Sequence, residues 1–297
     1  MKHWIQAARL RTLPLSVSGI IVGSAYAHYQ GYSDWRIVIL ALLTTLGLQI
    51  LSNYANDYGD GVKGTDANRI GEKRMVAAGV ITAQQMKKAV IITASFTFII
   101  ALLLIYIAFG KENFGLSLIF ILLGIGSIGA AIKYTVGTGA YGYSGFGDVF
   151  VFIFFGLVSV IGSNFLFTHF IDWKLFLPAT AIGLLSIAVL NLNNMRDIEN
   201  DKIAGKNTLV VKMGLEKAKK YHYILIFTAL VLFLFFSGMI SVVIYVYLPI
   251  VFVLAMHLKT VKRANQYADF DPELKKVALS TFALSILFWL TLIFLKY

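Results

Sequence analysis

The sequence predicts an all-α, polytopic membrane protein: a bundle of about nine transmembrane helices in two repeated halves around a central cavity. Of the 297 residues, 58% are hydrophobic and only 14% are charged, whereas a soluble domain carries roughly a quarter charged residues. Apolar runs close to the length that crosses about 30 Å of hydrocarbon recur along the whole chain. Such runs must form helices, because a backbone exposed to lipid has to satisfy its own hydrogen bonds.

The apolar runs define one integral membrane domain over residues 1–297. Spans are predicted at residues 12–30, 36–56, 89–109, 114–134, 147–169, 174–195, 221–238, 240–258 and 277–295. The distribution of basic residues supports nine spans. If the N-terminus is cytoplasmic, all but four of the 26 Lys and Arg residues lie in cytoplasmic segments, as the positive-inside rule expects. The C-terminus is then outside, and the net charge of +11 indicates orientation rather than nucleic-acid binding.

Two long polar segments, at residues 53–88 and 193–220, follow the second and sixth spans on the predicted cytoplasmic side. The first opens as NYANDYGDGVKGTD and the second as NNMRDIENDKIAGKNT. Asn53 and Asp57 precede Asn193 and Asp197 by 140 residues each, so the openings match in register. This internal sequence similarity predicts a parallel repeat in which each half contributes one acidic helix end to a composite site.

Each segment carries Asn and Asp side chains at helical spacing, which places them on one face of a continuing helix. They are Asn53, Asp57 and Asp60 in the first segment, and Asn193, Asp197 and Asp201 in the second. If the two faces meet, the carboxylates repel one another unless they bind protons or a cation. Carboxylate and amide oxygens suit Mg²⁺. The chain has no cysteine, which excludes thiolate ligands and thiol nucleophiles.

Basic residues beside both clusters predict an anionic ligand, because a metal together with Lys and Arg stabilises a leaving phosphate. They are Lys63, Lys73 and Arg74 in the first segment, and Arg196 and Lys206 in the second. In a membrane, a diphosphate with a very apolar tail is the natural substrate, namely a polyprenyl diphosphate. The alternative is that each Asp is a solvated helix cap, but that leaves the matched register unexplained. The five histidines lie at span ends and form no ligand pattern.

Several stretches resemble the UbiA-type membrane prenyltransferases, and within that family the branch that prenylates 1,4-dihydroxy-2-naphthoate in menaquinone synthesis. The resemblance covers nearly the whole chain, and its most specific parts are the two Asp-rich motifs. The stretches are ARLRTLPLSVSG (Ala8–Gly19), NDYGDGVKGTD (Asn56–Asp66), RMVAAGVIT (Arg74–Thr82), the loop Lys133–Gly156 and NNMRDIENDKIAGKNTL (Asn193–Leu209). Asp148 stands where the family often has Glu.

The resemblance implies a bacterial cytoplasmic-membrane enzyme with its active site on the cytoplasmic side and Mg²⁺ as cofactor. Its substrates would be a polyprenyl diphosphate and 1,4-dihydroxy-2-naphthoate, with the naphthoate carboxylate lost as CO₂. The implied metal ligands are Asn53, Asp57, Asp60, Asp66, Asn193, Asp197 and Asp201. Phosphate contacts are expected from Lys63, Arg74, Lys133, Arg196 and Lys206, with Asn56 beside them. Tyr134 and Asp148 would orient the acceptor or stabilise the allylic cation, and Arg9 or Arg11 would meet the acceptor's carboxylate.

Three other functions are compatible with parts of the pattern. The same transfer could use another acceptor: 4-hydroxybenzoate, homogentisate, a chlorin, haem or a glycerol-phosphate lipid. A cation or phosphate transporter also suits acidic helix ends and repeat symmetry, although transport requires a polar path through the spans, and here the outer halves are apolar. A receptor or scaffold leaves the matched Asp clusters unexplained. The prenyl chain length and the oligomeric state have no signature in the sequence.

Overall fold

The computed structural model describes residues 1–65 and 73–295. In these two ranges the chain forms α-helices, short 3₁₀ turns and one π-helical segment, with no β-strand. The helices are α1 (Lys2–Ala8), α2 (Leu13–Tyr29), α3 (Trp35–Lys63), α4 (Ala83–Phe109), α5 (Phe114–Lys133), α6 (Gly147–Val151), α7 (Ser163–Thr168), α8 (Phe176–Arg196), α9 (Ile198–Ile203), α10 (Leu209–Met213), α11 (Leu215–Met239), α12 (Leu248–Arg263) and α13 (Phe270–Leu295). The π-helical segment (Phe152–Gly162) joins α6 to α7.

Eight helical stretches within the described ranges are long and apolar enough to cross a membrane. They are α3, α4, α5, Gly147–Thr168, Trp173–Arg196, α11, Ile244–Arg263 and Tyr267–Phe294. α2 has 17 residues, which is at the lower limit for a span. With α2 included, the bundle has about the nine helices predicted, and the chain is an integral membrane protein.

The helix ends differ from the predicted span ends, because hydropathy marks only the part of a helix that lies in hydrocarbon. The second span was predicted to end at residue 56, but α3 continues to Lys63 and stops at Gly64, which has a φ of 71°. α4 begins at Ala83, six residues before the predicted span, because Thr82 and Gln85 form a reciprocal capping box. The first Asp-rich motif therefore begins inside a helix rather than in a loop.

The core of the bundle is built around α8, which packs against α11, α13 and the π-helical segment. Its residues Ala181, Leu185, Ala188 and Leu192 are fully buried. α3 packs most extensively against α4, as α8 does against α11, which is the pairing expected of two repeated halves. The two helices that lead into the Asp-rich motifs thus each pack against the next membrane-spanning helix in the chain.

Glycines let the π-helical segment approach its neighbours closely. A methyl group at Gly23 of α2 would overlap the carbonyl oxygen of Val160, and one at Gly156 would lie 2.6 Å from the carbonyl oxygen of Ala179 on α8. Small residues at such contacts allow helix backbones in membranes to pack directly. The π-helical segment is therefore fixed between α2 and α8.

Candidate active site

A cavity of about 420 Å³ extends from the ends of α3 and α8 into the bundle. Its mouth is polar, and its interior is lined mainly by apolar side chains. The polar lining includes Arg9, Arg11, Asn53, Asn56, Asp60, Arg74, Asn193, Asn194, Asp197, Asn200, Asp201 and Lys206. The apolar lining includes Ile20, Ala41, Leu104, Ile105, Phe120, Leu123, Phe150, Phe154, Phe155, Val158 and Leu166.

Asp60, on the last turns of α3, is the most heavily contacted carboxylate of the first motif. It is only 2% exposed and accepts hydrogen bonds from the Tyr143 hydroxyl at 2.6 Å and from Lys206 Nζ at 3.0 Å. The Arg74 guanidinium lies 3.5 Å from its second oxygen. Two cations and a phenol therefore compensate this buried charge at the cavity mouth.

Asp57, three residues earlier on α3, is placed differently. Its two carboxylate oxygens accept the backbone N–H groups of Met75 and Val76, both at 2.9 Å. The side chain is 1% exposed and does not contribute to the cavity lining. Asp57 thus connects α3 to the segment that carries Arg74, and its predicted role as a metal ligand stays a prediction.

In the second motif, Arg196 binds Asp197 and Asn193 at the end of α8. Its Nε and one Nη donate to the two oxygens of Asp197, each at 2.8 Å, and the same Nη donates to Asn193 Oδ1 at 2.8 Å. The guanidinium is fully buried and is itself outside the cavity lining. Asp201, which follows on α9, lines the cavity and is 5% exposed.

The two motifs meet across the mouth through contacts between their loops. Lys206, from the second segment, reaches Asp60 of the first. Asn200 donates its side-chain amide to the backbone oxygen of Thr65 at 2.9 Å, and the Asn207 N–H donates to the backbone oxygen of Tyr143 at 2.8 Å. Residues that are up to 146 positions apart in sequence therefore share one site.

Other predicted residues also lie at this mouth. Asn53 donates to the backbone oxygen of Ala8 at 2.8 Å, and Asn56 accepts from the Thr135 hydroxyl at 3.1 Å. Tyr134 lines the cavity, and burial raises the pKa of its hydroxyl, so this group stays protonated. Arg9 and Arg11 line the cavity on the side of α2.

Besides Asp57 and Arg196, three residues predicted to contact the substrates lie outside the cavity lining, and a fourth lies outside the described ranges. Lys133 is exposed at the end of α5. Lys63 donates to the backbone oxygen of Thr135 at 2.8 Å and sits over the Tyr143 ring. Asp148 accepts a hydrogen bond from the Tyr221 hydroxyl at 3.0 Å. The fourth residue is Asp66.

Two partners of the motif residues were not predicted from the sequence. Tyr143 binds Asp60; it lies in the family-like loop Lys133–Gly156, but no spacing within that loop distinguishes it from the neighbouring tyrosines. Asp271, at the start of α13, binds both Arg196 and Arg11. It lies 74 residues beyond Asp197, and nothing in its local pattern distinguishes it from a helix cap.

A buried network on the far side of α8 was also missed. His222 and His257 approach within 2.7 Å through their Nε2 atoms, and His257 Nδ1 lies 2.5 Å from Glu273. All three side chains are at most 5% exposed, and none lines the cavity. The network connects α11, α12 and α13.

The oxygen donors at the mouth fit a hard cation such as Mg²⁺, but only together with an anionic ligand. Among residues 1–65 and 73–295, no three His, Asp or Glu side chains lie close enough to hold a metal by themselves. Asp60 and Asp197 are each paired with cations. Mg²⁺ usually takes one or two carboxylates and completes its shell with water and phosphate oxygens, which matches this arrangement.

The sequence profile described as the UbiA prenyltransferase family matches residues 16–287 of the chain. The chain belongs to the UbiA prenyltransferase family. It is therefore a membrane prenyltransferase, and the family predicted from the two Asp-rich motifs is confirmed.

Two curated UbiA-family relatives are similar over most of the chain. The 1,4-dihydroxy-2-naphthoate octaprenyltransferase of Haemophilus influenzae is 43% identical over 99% of this chain and 96% of its own length. The protein of the same name from Escherichia coli is 49% identical over 79% of this chain and 76% of its own length.

Solved structures share the fold. A UbiA homolog from Archaeoglobus fulgidus bound to GPP and Mg²⁺ superposes with a TM-score of 0.71 at 16% identity, covering 98% of each chain. The apo structure of a UbiA homolog from Aeropyrum pernix K1 gives a TM-score of 0.71 at 15% identity, covering 97% of this chain and 99% of the other. The described helices are thus arranged as in these UbiA homologs.

Proposed function

We propose that the chain transfers a polyprenyl group from polyprenyl diphosphate to 1,4-dihydroxy-2-naphthoate, with loss of the carboxylate, as a step of menaquinone synthesis. The observation that carries the proposal is the meeting of two Asp-rich helix ends at the mouth of one cavity whose interior is apolar. The names of the relatives that are 43% and 49% identical support the acceptor, and they favour an octaprenyl donor.

The diphosphate headgroup would bind at the polar mouth. Mg²⁺ would be held there by Asp60, Asp197 and Asp201, with Asn53 and Asn193 nearby, and when bound it supplies positive charge to the leaving diphosphate. Lys206 and Arg74, both now paired with Asp60, would turn their donors to phosphate oxygens. Lys63, Lys133 and Asp148 lie outside the lining, so we assign them no substrate contact.

In the chemical step, the allylic C–O bond breaks and its electron pair leaves with the diphosphate. The electron-rich naphthoate ring attacks the allylic carbon, the bond to the carboxylate then breaks, and its pair returns to the ring as CO₂ departs. Tyr134, Tyr141 and Phe150 support this step. Tyr141 and Phe150 stack with centroids 3.8 Å apart beside the cavity, and aromatic faces stabilise a neighbouring cation.

The prenyl tail would extend into the apolar interior. Phe154, Phe155 and Val158 of the π-helical segment face Phe120 and Leu123 of α5 across the cavity lining. No residue of α5 is fully buried, so this wall of the bundle is the least enclosed by protein. Shielding by these side chains keeps water away from the allylic cation.

We further propose that the site faces the cytoplasm of a bacterium, with the N-terminus inside and the C-terminus outside. In the described parts of the chain, α3, α8 and α12 all end in basic residues, namely Lys63, Arg196 and Arg263. The positive-inside rule assigns these ends to the cytoplasmic face.

Product analysis by mass tests the proposal. Purified protein in lipid nanodiscs, supplied with octaprenyl diphosphate, 1,4-dihydroxy-2-naphthoate and Mg²⁺, is expected to form the decarboxylated octaprenyl naphthoquinol and to stop when EDTA is added. Parallel reactions receive 4-hydroxybenzoate, homogentisate or a glycerol-phosphate lipid as the acceptor. Product from one of these acceptors and none from the naphthoate would overturn the acceptor assignment.

A further inference from the structure

Asp271 holds two arginines of the site from a helix that carries neither Asp-rich motif. Its Oδ1 lies 2.5 Å from one Nη of Arg196, and its Oδ2 lies 3.3 Å from Arg11 Nη1. The Asp271 side chain is 32% exposed, whereas that of Arg196 is fully buried. Asp271 thus joins the end of α8 to the turn before α2.

Arg196 is divided between two carboxylates. Its Nε and Nη2 bind both oxygens of Asp197, while its Nη1 binds Asp271. Asp197 and Asp271 together balance the charges of Arg196 and Arg11, so the four groups form a neutral set. A buried guanidinium that loses all its carboxylate partners is strongly unfavourable.

This division matters because both oxygens of Asp197 are occupied by Arg196 in this structure. To contact a bound Mg²⁺–diphosphate, Asp197 must give up at least one of these hydrogen bonds. Asp271 does not line the cavity and stays with Arg196 when Asp197 turns away. The free-energy cost of moving Asp197 from Arg196 to the bound metal and diphosphate is therefore lower with Asp271 than without it.

We infer that Asp271 is a positioning residue: it keeps Arg196 neutralised, so that Asp197 is free to turn from Arg196 to the bound diphosphate and its metal. The inference rests on the function proposed above. Asp271 itself touches no substrate.

The test measures the binding of geranyl S-thiolodiphosphate, an unreactive diphosphate analogue, to the full chain in detergent at a series of Mg²⁺ concentrations by calorimetry. Asp271→Asn should raise the Mg²⁺ concentration for half-maximal binding by about tenfold or more, a size typical of coupled neighbouring residues. Asp271→Glu, which keeps the charge, should restore most of the binding. Glu216→Gln is the matched control, since Glu216 is 80% exposed and binds only Lys219 among described residues.

A second background separates positioning from a general structural role. In Arg196→Gln protein there is no buried guanidinium to neutralise, so Asp271→Asn should then leave the Mg²⁺ dependence almost unchanged. An equal effect of Asp271→Asn in both backgrounds, or none in the wild type, would overturn the inference. If the wild type does not bind the analogue in the presence of Mg²⁺ at all, that result contradicts the proposed function rather than the role of Asp271 alone. Because the Arg196→Gln background removes the buried charge, the double variant should fold even if Asp271→Asn alone folds poorly. Its Mg²⁺ dependence can then still be compared with that of Arg196→Gln.

Discussion

Two carboxylates on α3, Asp57 and Asp60, look equivalent in sequence but have different partners. Asp57 accepts two backbone N–H groups, and Asp60 binds Lys206, Arg74 and Tyr143. The helical spacing predicted that both would face one centre. It could not show that the chain after α3 folds back so that Met75 and Val76 cover Asp57.

These partners predict different results for two conservative substitutions. Asp60→Asn removes the charge that holds the cationic groups at the mouth, and we expect turnover to fall by about 10²–10³-fold, as when one preorganised electrostatic group is removed. Asp57→Asn places an amide donor opposite a backbone N–H group, and the free energy of unfolding should fall by about 1–3 kcal/mol. It should therefore loosen the segment at residues 75–81.

Hydrogen–deuterium exchange on both variants distinguishes the two effects. Faster exchange at residues 75–81 is expected in Asp57→Asn only. If Asp57→Asn abolishes turnover while that segment exchanges as in the wild type, Asp57 acts at the substrate, and the anchoring role assigned to it is wrong.

The π-helical segment determines the shape of the cavity wall because its neighbours hold it on two sides. Gly23 of α2 lies against the backbone of Val160, and Gly183 of α8 lies against the Phe152 ring and the backbone of Gly156. Phe154, Phe155 and Val158 of the segment contribute to the cavity lining. The sequence showed VFIFFG as an apolar run. It gave no sign that the run leaves α-helical geometry, since π-helical hydrogen bonding has no simple periodic signature.

Gly23→Ala tests this contact. The added methyl group would overlap the backbone oxygen of Val160, which can move only with the whole segment, so we expect a loss of about 1–3 kcal/mol in stability. Thermal unfolding in detergent should shift to lower temperature. Gly129→Ala on α5 is the control, because a methyl group there meets nothing within 4 Å; equal shifts in both variants would contradict the close approach.

The bundle as a whole brings the two repeated halves together so that one site faces one side of the membrane. α3 and α8 end at the same cavity mouth, and each packs against the next membrane-spanning helix, α4 or α11. The proposed topology has nine spans, which would place the two termini on opposite faces. The asymmetry of basic residues favours a mouth on the cytoplasmic side, as proposed above.

Single-cysteine labelling tests this orientation, and the absence of native cysteine makes the protein suited to it. Lys217, in the first turn of α11, and Lys111, between α4 and α5, are both exposed and are predicted to lie on opposite faces. In intact cells a membrane-impermeant maleimide should label Lys111→Cys, and it should label Lys217→Cys only after permeabilisation. The reverse pattern would invert the topology and place the site outside.

Much of the site was predictable because it depends on local patterns. The spacing from Asn53 to Asp60 and from Asn193 to Asp201 placed oxygen donors at two helix ends, and the family resemblance followed from those motifs. Residues such as Tyr143 and Asp271 were not predictable, because their importance comes from contacts with partners 75 or more positions away. The His222–His257–Glu273 network was not predicted either, because its members lie on three different helices whose packing brings them together.

The amino-acid sequence by itself determined that this chain spans a membrane and which acidic motifs define its family. Those properties depend on hydropathy, charge and short-range spacing, which are local. Only the tertiary structure decided which carboxylates face the cavity, which are engaged by backbone or arginine, and that Asp271 shares Arg196 with Asp197. These contacts depend on the packing of helices that are distant in sequence. Because a buried charge needs a partner, the groups that packing brings near it determine where each charged side chain points.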